Sequence, residues 1–297
     1  MTGEGDCVIP AAFEYLAPSS VPEAVSLLQQ HGYDAKIIAG GQSLIPMMRF
    51  RVLQPKVLID IGRIPGLDAL REEDGYLRIG ALVRSKTIET AEMIAERYPL
   101  LSATGKVVAD PIVRNRGTVA GSLVHADPAG DWAAACMAAR AQVVATGPNG
   151  ERVIEIDEFL RDTFTTALQD GEMVTEVRIP TPGPRSGGHY LKIERKVGDF
   201  ATVAVGVQIT LGADGRCTQA GIGLCAVGPI TLRAKAAEET LVGQPLTDEL
   251  IRKAAEAAAA ESQPGSDTRG PAEYKRDMVR VLTQRALQKA AQQASAQ

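Results

Sequence analysis

A β-type run that collapses into paired glycines is the most restrictive feature of this sequence. Ile37, Ile38 and Ala39 suit a buried strand, and they lead directly into Gly40, Gly41, Gln42 and Ser43. Two adjacent residues without Cβ let the backbone take φ > 0 and let its N–H groups converge on an anion at close range. The stretch reads as strand, tight turn, restart, with room for a phosphate. A second stretch, residues 116–131 (RGTVAGSLVHADPAGD), repeats the device, with Ala120, Gly121 and Ser122 interrupting a run rich in β-formers. One such turn reads as a plain turn; two suit a diphosphate.

Charge and cysteine usage narrow the rest. A net charge of −4 with no basic stripe argues against nucleic acid as the main partner. The first ten residues, MTGEGDCVIP, have neither a basic n-region nor an apolar h-region, and no apolar run reaches the ~20 residues needed to span a bilayer. A soluble, cytoplasmic chain without a transmembrane segment is expected. Cys7, Cys136, Cys217 and Cys225 lack C-x-x-C spacing, and His31, His125 and His189 are too scattered for a metal constellation. Redox chemistry here would need an organic cofactor. Neither G-x-G-x-x-G nor G-x-x-x-x-G-K-[ST] occurs, which disfavours a Rossmann dinucleotide domain and a P-loop.

Taken in order, the chain predicts a strand near 13–16 and a helix from a capping box at Ser20 and Glu23, with Pro22 in its first turn and Gly32 at its end. A strand over 35–39 delivers the first glycine turn, followed by a short helix at 46–51 and a strand at 57–61. An Asp74–Gly75 hairpin opens a second lobe. Thr87 caps a helix running to Arg97, stopped by Pro99; an Ala-rich helix covers 131–139, a hairpin turns at Pro148–Gly150, and a strand covers 174–179. Residues 180–188 (PTPGPRSGG) hold three prolines and three glycines and mark a boundary without regular structure. Strands at 188–193, 201–211 and 216–226 follow. Helices at 232–242, 247–261 and 271–290 complete the chain, with a flexible 263–270 before the last.

AGGQSLIPMMRFR, LIDI at 58–61, RIGAL at 78–82 and RNRGTVAGSLVHADPAGDW, in that order and spacing, resemble the FAD-binding medium subunit of the molybdenum hydroxylases, the carbon monoxide dehydrogenase and xanthine dehydrogenase family. The resemblance spans nearly the whole chain. It implies an α+β fold: a two-lobed FAD-binding domain of the vanillyl-alcohol oxidase (PCMH) type over 1–180, with lobes of about 1–62 and 63–180. A C-terminal α+β domain of the carbon monoxide dehydrogenase flavoprotein type, a three-stranded antiparallel sheet with helices, follows over 186–292. FAD would be held by Ala39, Gly40, Gly41, Gln42, Ser43 and Leu44 on one side and by Thr118, Ala120, Gly121 and Ser122 on the other. The family often has Gly-Gly at 120–121, so Ala120 places a Cβ where the backbone nears the cofactor.

By the same resemblance Ile61 and Ala81 help wall the adenine end, and Asp131 lies near the ribityl chain with His125 and Asp127 close by. Tyr190 and Lys192 lie beside the isoalloxazine ring. Asp131 reads equally as a helix N-cap, Ile61 and Ala81 as core, and 190–196 as a solvated basic turn. The implied function is electron transfer. FAD receives electrons from 2Fe–2S clusters on a small subunit, fed by a molybdenum–pterin cofactor on a large subunit, and passes them to an external acceptor within an (LMS)2 heterohexamer. The substrate pocket would lie on the large subunit. A free-standing flavin oxidase or reductase and a ligand-free assembly scaffold are the rival readings.

Overall fold

The computed structural model describes residues 9–296. Cys7 and most of the N-terminal stretch discussed above lie outside them. The first lobe contains β1 (Glu14–Leu16), α1 (Val21–His31), β2 (Ala35–Ile38), α2 (Leu44–Arg49) and β3 (Val57–Asp60). Its sheet is all-parallel in the order β1-β3-β2, with Tyr15 opposite Leu58 and Ile37 opposite Ile59. Ser20 caps α1 by accepting the Glu23 N–H at 3.3 Å. The reciprocal half of the capping box is displaced by one residue, because the Glu23 carboxylate accepts from the backbone N–H of Ser19 at 2.7 Å. Gly32, at φ 50°, ends the helix.

The second lobe runs through β4 (Leu70–Glu73), β5 (Tyr76–Gly80), α3 (Ser85–Thr90), α4 (Glu92–Arg97), α5 (Pro99–Gly105), α6 (Pro111–Arg114), α7 (Val119–His125) and α8 (Asp131–Ala139). It continues with β6 (Gln142–Gly147), β7 (Gly150–Glu155), α9 (Ile156–Phe159), β8 (Leu160–Asp162), β9 (Thr165–Thr166) and β10 (Met173–Pro180). Five strands form an antiparallel sheet in the order β4-β5-β10-β6-β7, so the last strand in sequence fills the centre. Asp74 and Gly75 both take positive φ, 51° and 79°, the requirement of a two-residue hairpin of type I′. The single helix expected from Thr87 to Arg97 is divided: α3 already starts at Ser85, where the backbone is anchored by Ser85 N–H to the Gly117 carbonyl, and the chain is extended at Ala91. Pro99 opens α5 rather than only closing its predecessor, a position its fixed φ suits.

The C-terminal part comprises β11 (Ser186–Ile193), β12 (Val203–Leu211), β13 (Cys217–Cys225), β14 (Leu232–Arg233), α10 (Lys235–Leu241), α11 (Asp248–Glu261) and α12 (Ala272–Ser295). Its three long strands are antiparallel, and the two-residue β14 adds a fourth at the edge, at the place where a helix start was expected. The irregular connection is shorter than the proline and glycine content suggests: β11 already starts at Ser186, and a side chain would collide with the backbone of α12 at Gly187 and with Leu100 of α5 at Gly188. Residues 263–270 are also held more firmly than expected. Buried Lys275 donates to the Gly265 carbonyl at 3.0 Å and the Asp267 carboxylate at 2.7 Å, while Arg269 donates to the Ala201 carbonyl at 3.1 Å.

Strand alternation explains how this sheet buries both faces. Val203, Val205, Val207 and Ile209 of β12, with Ala220, Ile222 and Leu224 of β13, pack against α10, α11 and α12. The opposite face is lined by small residues. A Cβ on Gly221 would lie 1.9 Å from the Ala138 carbonyl oxygen, and one on Gly223 2.0 Å from that of Ala134. Helix α8 therefore lies backbone to backbone on β13, and Tyr190, Ala204 and Cys225 join the hydrophobic core of the preceding lobes. No helix among the described residues is long and apolar enough to cross a membrane.

Candidate functional site

The two glycine segments meet. A Cβ at Gly40 would lie 2.2 Å from the carbonyl oxygen of Arg116 and 3.0 Å from the Cα of Gly117, so only glycine lets the chain leaving β2 pack against the turn that follows α6. Gly41 takes φ 73°. Ser43 leads into α2 without a side-chain cap bond, Leu44 is its first residue, and Gln42 donates to the Gly40 carbonyl at 3.3 Å. The backbone N–H groups of Gly41, Gln42 and Ser43 make no hydrogen bond among the described residues. Three consecutive unclaimed donors in a tight turn form an anion cradle, and a side chain at either glycine would crowd it.

The second segment differs in kind from its sequence expectation. Thr118 is an N-cap, its Oγ1 accepting the Gly121 N–H at 2.9 Å, so Ala120, Gly121 and Ser122 form the first turn of α7 rather than a turn between strands. Helical geometry also answers the concern over Ala120. Its methyl turns into the core, 2% exposed, while Gly121 faces outward. The segment is held in place by residues that the sequence reading missed. Arg84 donates to the Arg116 carbonyl at 2.6 Å, and Arg114 is bonded to Glu89 at 2.9 Å and to the Val108 and Ala109 carbonyls. Trp132 donates through Nε1 to Ser85 Oγ at 3.0 Å, beside the Ser85–Gly117 contact. None of these carries a local signal; an arginine a few residues after a strand, as Arg84 is after β5, reads as surface.

From α7 the chain turns back at Ala126, in the left-handed region at φ 52°. Asp127 closes an Asx turn by accepting the Ala129 N–H at 2.9 Å, and a Cβ on Gly130 would lie 3.6 Å from Ser122 Oγ. His125 is half-buried against the ring of Phe164 at 5.1 Å, and burial holds its pKa below the usual value. Asp131, which begins α8, is buried. Its Oδ1 accepts from Tyr190 at 2.9 Å and its Oδ2 from Lys192 at 2.9 Å. Lys192 also donates to the Val107 carbonyl at 3.1 Å and lies 3.3 Å from a Glu194 carboxylate oxygen. Burial raises the pKa of Asp131 against the opposing pull of Lys192, and raises that of Tyr190 strongly. Tyr190 and Lys192 are thus enclosed rather than solvated, because strand alternation turns both toward α8.

Ile61 and Ala81 lie buried in the core that joins the two lobes. The structure brings Gly40 and Gln42 against Arg116 and Gly117, Gly130 against Ser122, and Tyr190 and Lys192 against Asp131. Of the cysteines, Cys136, Cys217 and Cys225 are buried free thiols, burial pushing Cys136 up to about 12 and Cys217 to about 11. Among the described residues no group of three or more His, Cys, Asp or Glu side chains is arranged to hold a metal.

Comparison with known proteins agrees with this geometry. Residues 11–182 match the family described as the FAD binding domain in molybdopterin dehydrogenase, and residues 188–290 match the CO dehydrogenase flavoprotein C-terminal domain. The carbon monoxide dehydrogenase medium chain of Hydrogenophaga pseudoflava is 41% identical over 280 residues, covering 94% of this chain and 97% of that one. The 6-hydroxypseudooxynicotine dehydrogenase complex subunit alpha of Paenarthrobacter nicotinovorans is 37% identical, covering 95% of each chain. A solved structure of carbon monoxide dehydrogenase from Hydrogenophaga pseudoflava, lacking the Mo-pyranopterin moiety of its cofactor, superposes with a TM-score of 0.93 at 43% identity, covering 96% of this chain and 99% of that one. The chain belongs to the family of FAD-binding medium chains of the molybdopterin dehydrogenases, and is an oxidoreductase subunit with the mixed α and β architecture of that family.

Proposed function

We propose that this chain binds one FAD between its lobes and relays electrons from the 2Fe–2S clusters of a small partner subunit to an external acceptor, in a cytoplasmic assembly that also contains a molybdopterin-binding large subunit, commonly doubled to (LMS)2. The observation that carries the reading is the closure of Gly40 on Arg116, which sets an unclaimed N–H cradle beside a second small-residue segment. The residues fit the group. Gly41, Gln42 and Ser43 would bind the diphosphate from one side, with Thr118, Gly121 and Ser122 adjoining. Ala39, Leu44, Ile61, Ala81 and Ala120 would shape the walls. Bound FAD supplies an acceptor that takes electrons singly or in pairs.

The remaining residues orient and enclose. His125, Asp127 and Asp131 would line the path toward the ring, and the Tyr190–Asp131–Lys192 cluster holds β11 against α8 with a cation fixed beside it. We further propose that the cofactor-binding part ends near residue 180 and the C-terminal part begins near 186. The substrate differs among the relatives, and the proposal assigns its binding to the large subunit. The test is anaerobic absorbance of the flavin band on adding carbon monoxide or an N-heterocycle, comparing the isolated chain with the chain reconstituted with its partners. Bleaching in the reconstituted complex alone is expected. Bleaching in the isolated chain would overturn the relay in favour of a free-standing oxidase.

A further inference from the structure

Two arginines, Arg84 and Arg116, stand where the glycine segments meet, near enough for the charge of one to act on the other. Arg84 Nη1 donates to the Arg116 carbonyl, the same oxygen against which Gly40 closes, and the Arg84 backbone pairs with Thr118. The guanidinium is therefore fixed at both ends, with little rotamer freedom left to lose on binding. Its remaining N–H groups make no hydrogen bond among the described residues. The Arg116 side chain is exposed and close enough for its charge to act on Arg84.

The electrostatics of this pair differ from those of the protein's other enclosed arginines. Arg114, Arg178 and Arg233 each hold a carboxylate within 3 Å. Among the described residues neither Arg84 nor Arg116 has an ion-pair partner within 4.0 Å. Asp60 and Asp68 pull on Arg84 from a distance, but Asp60 is already taken by Tyr15 and the Gly62 N–H. Half-burial and the like charge of Arg116 both work against the charged form of Arg84. Two neighbouring cations without a carboxylate, in a segment that packs on the turn with three unclaimed N–H groups, make a site that an anion completes.

We propose that Arg84, with Arg116 as its outer partner, is a cationic clamp for the diphosphate of the dinucleotide held between residues 40–43 and 116–122. The assignment rests on the FAD reading above. A diphosphate carries about two negative charges and presents oxygens on two sides, so it can take donors from the glycine turn on one side and a planar guanidinium fork on the other. Arg84 would contribute charge as well as a hydrogen bond, which separates this role from mere support of the Arg116 carbonyl.

The test is equilibrium titration of FAD into the deflavinated protein, assembled with its partner subunits, at low and high NaCl. Arg84→Gln removes the charge and shortens the side chain while keeping it polar, Arg84→Lys keeps the charge, and Arg116→Gln removes an exposed charge whose side chain makes no hydrogen bond or ion pair among the described residues. For Arg84→Gln the dissociation constant should rise about tenfold and the salt dependence should flatten, while the thermal midpoint without FAD should fall only slightly, through the one lost bond to the Arg116 carbonyl. Arg84→Lys should lose less, and Arg116→Gln should lose about threefold with a shallower salt slope. Unchanged affinity in Arg84→Gln and Arg116→Gln would overturn the clamp. So would a loss of affinity with an unaltered salt slope and a lowered midpoint, the signature of a structural prop. Failure of the unmutated protein to take up FAD would instead remove the cofactor reading on which the clamp stands.

Discussion

Tyr190 donates its hydroxyl hydrogen to Asp131 at 2.9 Å, joining strand β11 to the first turn of α8 across 59 residues of sequence. Lys192 occupies the other oxygen of the same carboxylate, and the two side chains of this ion pair are 2% and 6% exposed. A charge pair enclosed to this degree is costly to create and more costly to halve. It holds the C-terminal sheet to the helix that packs under it.

Lys192→Met should accordingly destabilise the protein by about 3–5 kcal/mol, because it leaves a buried carboxylate facing Glu194 without its cation. Tyr190→Phe should cost about 1–3 kcal/mol through the lost hydrogen bond. Urea unfolding of the purified chain measures both. Equal midpoints for wild type and Lys192→Met would show that the pair contributes nothing to joining the two elements.

Gly40→Ala should separate the glycine segments. Its methyl would sit 2.2 Å from a backbone oxygen, and a backbone obstacle cannot swing away as a side chain can. Overpacking of this kind costs about 1–3 kcal/mol, and the displaced cradle should lose most of its FAD. Gly215→Ala, at φ 79° in the β12–β13 hairpin with open space around it, serves as the control: strained, yet retaining the cofactor. FAD released per chain on acid precipitation reads the difference.

Arg233 joins α10 to the second lobe, bonded to Glu238 at 2.7 Å and to Asp157 at 2.6 Å. Glu238 is 3% exposed and also accepts the Ile222 N–H at 2.9 Å. Arg233→Met should therefore cost about 3–5 kcal/mol, leaving Glu238 buried with the weaker Arg140 contact as its remaining cation. Asp157→Asn, which removes the outer and more exposed partner, should cost about 1 kcal/mol. Differential scanning calorimetry should place the two midpoints in that order.

Acid should weaken the fold partly through two histidines. Burial is the main cause that holds both His125 and His189 below their ordinary pKa, with Lys289 and Lys106 adding to the effect at His189. The unfolded chain therefore takes up protons first as pH falls. Stability is full above the unfolded value of about 6.5 and is lost as pH drops from there toward the folded values. Urea midpoints measured from about pH 7.5 to about pH 5 should fall, and replacing both histidines by Gln should flatten that part of the curve. An unchanged slope in the double variant would assign the acid lability to the carboxylates alone.

Local features were legible where one residue's covalent chemistry decides the backbone. Gly32, Asp74 and Gly75, the caps at Ser20 and Thr247, and the Ala-rich α8 all stand where the sequence predicts them. The helix break at Ala91 and the strand character of Ser186 and Gly187 were not legible, because each depends on what packs against the segment. In the same way Ala120 reads as an obstruction in a loop and is harmless in a helix, since the helical twist points its methyl into the core.

The sequence by itself determined most of the longer strands and helices, the position of the two small-residue segments and the family to which the chain belongs, because motif order and spacing survive without coordinates. Only the tertiary structure decided that Gly40 closes on Arg116, that Asp131 spends both oxygens on Tyr190 and Lys192, and that Arg84 stands beside Arg116 without a carboxylate. These are contacts between residues tens of positions apart. Local propensity and pattern act over a few residues, whereas burial and charge pairing are set by whichever segments the packed sheets and helices bring together.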